Sequence, residues 1–277
     1  MNYYWVSQKK DETKGDRVSS CFQGQIEGAK ISSMFKQFQQ FLEKELFERF
    51  ALESRPIPSG LESLVSARGK NPATIQSWCY QCPELRKIRY TYIDAGETAQ
   101  IFNSVIYPNY NYDLPLLGID FLAFGRKKIL VVIDFQPLFR EGSYMDKYIE
   151  PMREVKEKYS ALVQNLEMKF YDANQYFSPH LLFAKTDAET VVNELFPAYQ
   201  EYVQLYFKLL EGASPLTTPD AMQRIVRAQK DYDQYSVERD PASGLFSSYF
   251  GHEWSERFLY EFLFEDAVPL AVPAGAK

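Results

Sequence analysis

Histidine and cysteine are scarce in this 277-residue chain: the histidines are His180 and His252, and the cysteines are Cys21, Cys79 and Cys82. Two histidines give a Ser-His-Asp triad, a haem or a metal cluster little material to work with. Three thiols do not form a disulfide framework and fit a reducing compartment. Cys79 and Cys82 make a C-x-x-C pair, but no second ligand pair accompanies it, so they read as unpaired structural or surface thiols. The glycine-rich phosphate fingerprints, the Gly-x-Ser-x-Gly elbow and the His-Glu-x-x-His metal motif are all missing. No apolar run is long enough to span a bilayer. The net charge is −6, which argues against a non-specific nucleic-acid binder. The polar N-terminal stretch has no apolar segment of signal-peptide type, so the expected location is the cytoplasm, or a plastid stroma after removal of a transit peptide.

Aromatic residues are abundant. Phe, Tyr and Trp make up 16% of the chain. They serve either a large aromatic core or the walls of a pocket for a flat conjugated ligand.

Residues 1–30 show no apolar period and read as a disordered extension; 31–266 read as the folded domain, and 267–277 as a flexible tail. Met34, Phe35, Phe38, Phe41, Leu42, Leu46 and Phe50 recur at helical spacing over about 32–51. Strands are expected at 88–93, 99–107, 117–124, 129–135 and 180–185. Short turns join the first four, which implies an antiparallel meander. Helices are expected at 144–162, 188–210, 219–235 and 252–264. This order gives an α+β fold with helices packed on an antiparallel sheet.

Carboxylates stand inside apolar sequence. Asp120 and Asp134 fall on neighbouring expected strands. Burial raises a carboxyl pKa, and an acid kept protonated near neutral pH can donate a proton. Equally, each could bond a backbone amide or an arginine, and Asp134 reads mainly that way. Asp240 precedes Pro241 and could simply start a turn. Asn103, in mid-strand, could orient a ligand or satisfy a bulge.

Several segments, taken together and in order, resemble the ferredoxin-dependent bilin reductases over about 32–266. They are Phe102-Asn-Ser-Val-Ile-Tyr-Pro108, Tyr112-Asp-Leu-Pro-Leu-Leu-Gly-Ile-Asp-Phe-Leu122, Asp134-Phe-Gln-Pro137, Asn174-Gln-Tyr-Phe-Ser178 and Asp240-Pro-Ala-Ser-Gly244. The resemblance implies a three-layer α/β/α sandwich holding a bilin between the sheet and the C-terminal helices. It implies no bound flavin or metal, and reduction by single electrons from reduced ferredoxin with protons from side chains. Asp120 matches the acid of the central sheet and Asp240 that of the C-terminal loop. Asn103 stands where the phycocyanobilin-forming branch has a histidine.

Ile75-Gln-Ser-Trp78 and Arg239-Asp-Pro-Ala-Ser-Gly-Leu-Phe246 look most like the branch that reduces the C15 methine bridge of biliverdin IXα to 15,16-dihydrobiliverdin. The alternatives are the phycoerythrobilin-forming branch, which acts next on the A ring, and a bilin carrier without catalysis. Asn103, Lys185 and Arg239 are candidate substrate contacts, the two cations for the propionates. A plant-type [2Fe-2S] ferredoxin is acidic, so Arg86, Lys87 and Arg89, or Arg126, Lys127 and Lys128, are candidates for docking it. A monomer is expected, with the next reductase of the pathway as a further partner.

Overall fold

A computed structural model describes residues 34–66, 72–164, 166–172 and 174–269. The expected extension at 1–30 and most of the expected tail at 267–277 lie outside the described residues.

The elements run in order as helix α1 (Lys36–Arg49), strands β1 (Glu53–Ser54), β2 (Ser63–Val65), β3 (Thr74–Gln81), β4 (Leu85–Asp94), β5 (Gln100–Pro108), β6 (Leu116–Ala123) and β7 (Ile129–Gln136), then α2 (Gly142–Tyr148) and α3 (Met152–Lys158). Strand β8 (Leu182–Thr186) follows. After it come α4 (Ala188–Thr190), α5 (Phe196–Glu211), α6 (Pro219–Arg239), α7 (Ala242–Phe250) and α8 (His252–Arg257). Wide π turns precede α5 and follow α8, at Val191–Leu195 and Phe258–Leu263.

The strands form one antiparallel sheet in the order β1-β3-β4-β5-β6-β7-β8, with β2 also paired to β3. Consecutive strands are neighbours because short turns leave them no other partner. Gly96 (φ 63°) and Gly125 (φ 72°) take the left-handed backbone in the β4–β5 and β6–β7 turns, a conformation that costs glycine little.

Strand alternation divides the core in two. Tyr90, Phe102, Phe121 and Phe135 face one way and pack on Phe38 and Leu42 of α1 and on Tyr199, Tyr202 and Tyr206 of α5. Ile75, Ile93, Val105 and Tyr107 face the other way, against Tyr232 and Tyr235 of α6 and Phe246, Phe258 and Phe262 beyond it. The expected α/β/α sandwich is therefore the observed fold.

Local differences have local causes. The helix expected over 144–162 breaks into α2 and α3 around Pro151, since proline cannot donate within a helix. Strand β3 was not expected. It carries Cys79, and Cys82 directly follows it; both cysteines of the C-x-x-C pair are free and buried. Helix α7 was hidden by Ser243 and Gly244, which read as loop residues.

Candidate active site

The floor of the site is the sheet face toward α6, α7 and α8. On that face the middle of the sheet is not sealed. Asn103, Asp120, Val132 and Phe183 lie in one row across β5, β6, β7 and β8, and all four are half-buried. The next row runs Ile101, Leu122, Leu130 and Lys185, ending on the edge strand, and Leu122 and Leu130 are again half-buried. Residues of β6 and β7 pointing the other way, such as Ile119, Phe121, Val131 and Ile133, are fully buried. Unsealed apolar positions on central strands mean a cleft, not a packed layer.

The segment after α3 covers part of this floor. Leu166, Met168, Tyr171, Ser178 and Leu181 line a hollow of about 470 Å³ with Phe183 at its base. A second hollow, about 720 Å³, adjoins Leu130 and Lys185 and reaches Lys127 and Lys128. Both fall in the size range of small-molecule sites. Gln164 stands between them and pairs with the β8 backbone, donating to the Lys185 carbonyl (2.9 Å) and accepting from its N–H (3.1 Å). Tyr171 packs on Phe177 and Tyr235, with ring centroids 5.6 and 6.1 Å apart. The Tyr235 hydroxyl accepts from the Asp172 N–H at 2.6 Å.

Asp120 is the acid of this floor. Asn103 donates its Nδ2–H to Asp120 Oδ1 at 3.0 Å, and Arg89 donates from Nη1 to Asn103 Oδ1 at 2.7 Å. Desolvation pushes the Asp120 carboxyl up to about 7; the Asn103 hydrogen bond and the Arg89 charge pull down, and the Asp240 charge pushes up. Asp240 follows the end of α6, where its Oδ1 accepts from the Ala242 N–H at 2.8 Å. That is the expected turn, yet burial raises this carboxyl too, against the Ala242 bond and the Arg89 charge. Burial also raises the Tyr171 phenol, helped by Asp240 and Asp120. The structure thus brings Asp120, Asp240 and Asn103 to one place and adds Arg89 and Tyr171.

Asp134 is fully buried and serves the scaffold. It accepts from the Ser178 N–H at 2.7 Å and from the Ser178 hydroxyl. Desolvation pushes it up to about 7. Lys185 is exposed at the end of its row. Arg239 is 40% exposed, lies over the Tyr235 ring at 4.2 Å and pairs with Glu238 at 3.1 Å.

The expectation that Arg86, Lys87 and Arg89 form an exposed docking patch is corrected. Lys87 and Arg89 are each 1% exposed. They and Arg86 hold the segment after α8 against the sheet. Lys87 donates to the Phe262 carbonyl and faces Glu265 at 3.4 Å. Arg86 pairs with Asp266 at 2.9 Å, and Arg89 donates to the Leu263 carbonyl at 3.1 Å. Their side chains lie on the sheet face that the C-terminal segment covers. Sequence spacing could not show that cover, because the partners stand about 175 positions later. Arg126, Lys127 and Lys128 are exposed in the β6–β7 turn. Among the described residues, no group of three or more His, Cys, Asp and Glu side chains could hold a metal ion. None of the described helices is long and apolar enough to cross a membrane.

The fold is that of a known class: the chain belongs to the ferredoxin-dependent bilin reductases, matching that family over residues 39–265. Among its relatives, the 15,16-dihydrobiliverdin:ferredoxin oxidoreductase of Nostoc punctiforme is 70% identical, over 88% of this chain and 100% of that protein. The protein of the same name from Gloeobacter violaceus is 65% identical, over 86% of this chain and 98% of its own. In three dimensions the chain is similar to phytochromobilin synthase from tomato, solved in complex with biliverdin. The TM-score is 0.78 at 20% identity, covering 86% of this chain and 85% of that one.

Proposed function

We propose that this chain carries out the reaction for which its relatives are named, reducing biliverdin IXα at the C15 methine bridge to 15,16-dihydrobiliverdin. Reduced ferredoxin supplies two electrons, one at a time, and the protein supplies or relays two protons. The observation that carries this reading is the pair of raised carboxyls, Asp120 and Asp240, near enough for the charge of one to act on the other, at the half-buried middle of the sheet face toward α6. A bilin laid on the row from Asn103 to Phe183 meets Asp120 from below. Asp120 is the proton donor to the pigment; Asp240 is a second donor or a positioning group. The lining apolar and aromatic groups exclude water from radical intermediates. Lys185, at the open end of the floor, and Arg239 are the cations offered to the propionates.

The electron donor is a plant-type [2Fe-2S] ferredoxin, and the exposed turn Arg126-Lys127-Lys128 is the surface offered to it. The protein works as a monomer without a bound flavin or metal, in a cyanobacterial-type cytoplasm or a plastid stroma. The next reductase of the pathway then takes the product.

The test is an anaerobic assay of protein, biliverdin IXα and a ferredoxin-reducing system, with chromatography of the product. Loss of the long-wavelength band and a product co-eluting with 15,16-dihydrobiliverdin are expected. Turnover of 15,16-dihydrobiliverdin but not biliverdin would assign the A-ring reaction instead. Tight pigment binding with no spectral change would mark a carrier.

A further inference from the structure

Arg86, Lys87 and Arg89 come from one strand, yet their surroundings differ. Arg86 and Lys87 meet the carboxylates of Glu265 and Asp266. Arg89 gives its hydrogen bonds to neutral acceptors, the Leu263 carbonyl and the amide oxygen of Asn103. Its guanidinium lies over the Phe264 ring at 5.4 Å, and the residue is 1% exposed.

A guanidinium has donors only, so whichever end of the Asn103 amide faces it must be the oxygen. The NH₂ end is thereby turned toward Asp120, where it donates to Oδ1 at 3.0 Å. When Asp120 is protonated, the oxygen that accepts this bond is not the one carrying the proton. We propose that Arg89 is a positioning residue for the reaction: acting through Asn103, it fixes the acidic proton of Asp120 on Oδ2, where the bound pigment can take it. Without the guanidinium the amide is free to turn over. Its oxygen then faces Asp120 and takes that proton as a hydrogen bond, away from the cleft. The inference rests on Asp120 being the donor to the bilin.

The charged and titratable groups around Asp120 come from several elements: Arg89 from β4, Asp240 beyond α6 and Tyr171 from the segment after α3. Of these, Arg89 alone favours the ionised acid. Its removal must leave Asp120 protonated to higher pH. A general acid works while protonated, so the alkaline fall in activity follows its titration.

The experiment compares Arg89→Met, Arg89→Lys, Asn103→Leu, the Arg89→Met/Asn103→Leu pair and an Asp120→Asn reference. Each is measured for thermal melting, biliverdin affinity by absorbance titration, and product formation against pH. Arg89→Met is expected to bind biliverdin within about threefold of the native protein, to lose about tenfold or more in plateau rate, and to shift its alkaline limb upward. Arg89→Lys, which keeps a cation and donors, is expected to restore the limb and much of the rate. In the double variant the plateau losses should not add, because both changes cut one relay.

A merely structural arginine would lower the melting temperature but leave the plateau rate of the folded variant near native, and that result overturns the proposal. So do additive rate losses. If Arg89→Met does not fold, Asn103→Leu decides, since it leaves the Leu263 contact intact: a native rate and an unmoved limb overturn the inference. The reference separates the two readings. Asp120→Asn at native rate sinks the proton-donor assignment itself, whereas an impaired Asp120→Asn beside a native-like Arg89→Met sinks only the role of Arg89.

Discussion

Asp240 lies close enough to Asp120 for its charge to raise the pKa of that acid. One carboxyl sits on the central sheet and the other beyond the end of α6, so the fold brings together two segments 120 positions apart. Asp120→Asn keeps the shape and removes the acid. It is expected to bind biliverdin near-normally while product formation falls by about 10²–10⁴-fold, the usual worth of general acid catalysis. Asp240→Asn takes a negative charge away from Asp120, which lowers the pKa of that group. Its alkaline limb is therefore expected to move to lower pH, opposite to the Arg89→Met shift. Rates of both variants across pH 5 to 9, roughly two units either side of the Asp120 value of about 7, provide the check.

Lys87 is held by burial at a pKa of about 8 and donates to the Phe262 carbonyl. Lys87→Met leaves that carbonyl without its partner. A loss of about 1–3 kcal/mol is expected in denaturant unfolding, the ordinary cost of an unsatisfied buried group. Ferredoxin affinity at fixed folded concentration should stay as it was; a selective loss of ferredoxin affinity would return Lys87 to the docking surface.

Charge reversal of Arg126, Lys127 and Lys128 is expected to slow turnover with ferredoxin at low salt and to flatten its salt dependence. Biliverdin affinity should hold, because rim charges act mainly on association. Stopped-flow rates at two ionic strengths give the answer, and native rates at low salt would place docking elsewhere.

Asp134 makes a pH prediction. Its folded pKa of about 7 lies above the unfolded value of 3.8. Between those two values the unfolded chain has released a proton that the folded protein keeps, so rising pH favours unfolding of the native protein. Asparagine has no such proton. The stability of Asp134→Asn relative to native should climb from pH 4 to about 7 and then level off. Paired urea melts at pH 5, 6, 7 and 8 follow the trend, and a flat or falling difference would refute the buried-acid reading.

Gly118 stands opposite Asp134, and a Cβ added there would come within 2.7 Å of Gln136 Oε1. That oxygen accepts from the Tyr232 hydroxyl of α6, also at 2.7 Å. Gly118→Ala is expected to displace Gln136 and cost about 1–3 kcal/mol, the range of an overpacked core. Gly118→Ala combined with Gln136→Ala should recover part of that in thermal melts, since the clash is then gone.

The sheet was legible because four apolar segments are separated by turns too short for anything but a meander. Asp120 was legible for the same reason: a carboxyl in an apolar strand demands an explanation. What periodicity could not supply was the second wall. Arg89 looked like one of three charges on a strand edge, and its partners Asn103 and Leu263 lie 14 and 174 residues away. Tyr171 belongs to a stretch without regular structure, so no period pointed to it. Strand β3 escaped because Thr74–Gln81 mixes Gln, Ser and Cys among few apolar residues.

The tie between β4 and the segment after α8 also bears on how the chain is made. Arg86, Lys87 and Arg89 are synthesised early, while Phe262, Leu263, Glu265 and Asp266 come nearly last. The layer of α1, the sheet and α5 holds all its own residues by Glu211. On a ribosome, then, one half of the molecule can condense while three cations on the other face still wait in water for partners. A nascent chain cut short of Pro219, where α6 begins, would carry a sheet covered by α1 and α5 on its back and bare on its front, open there to chaperones and proteases.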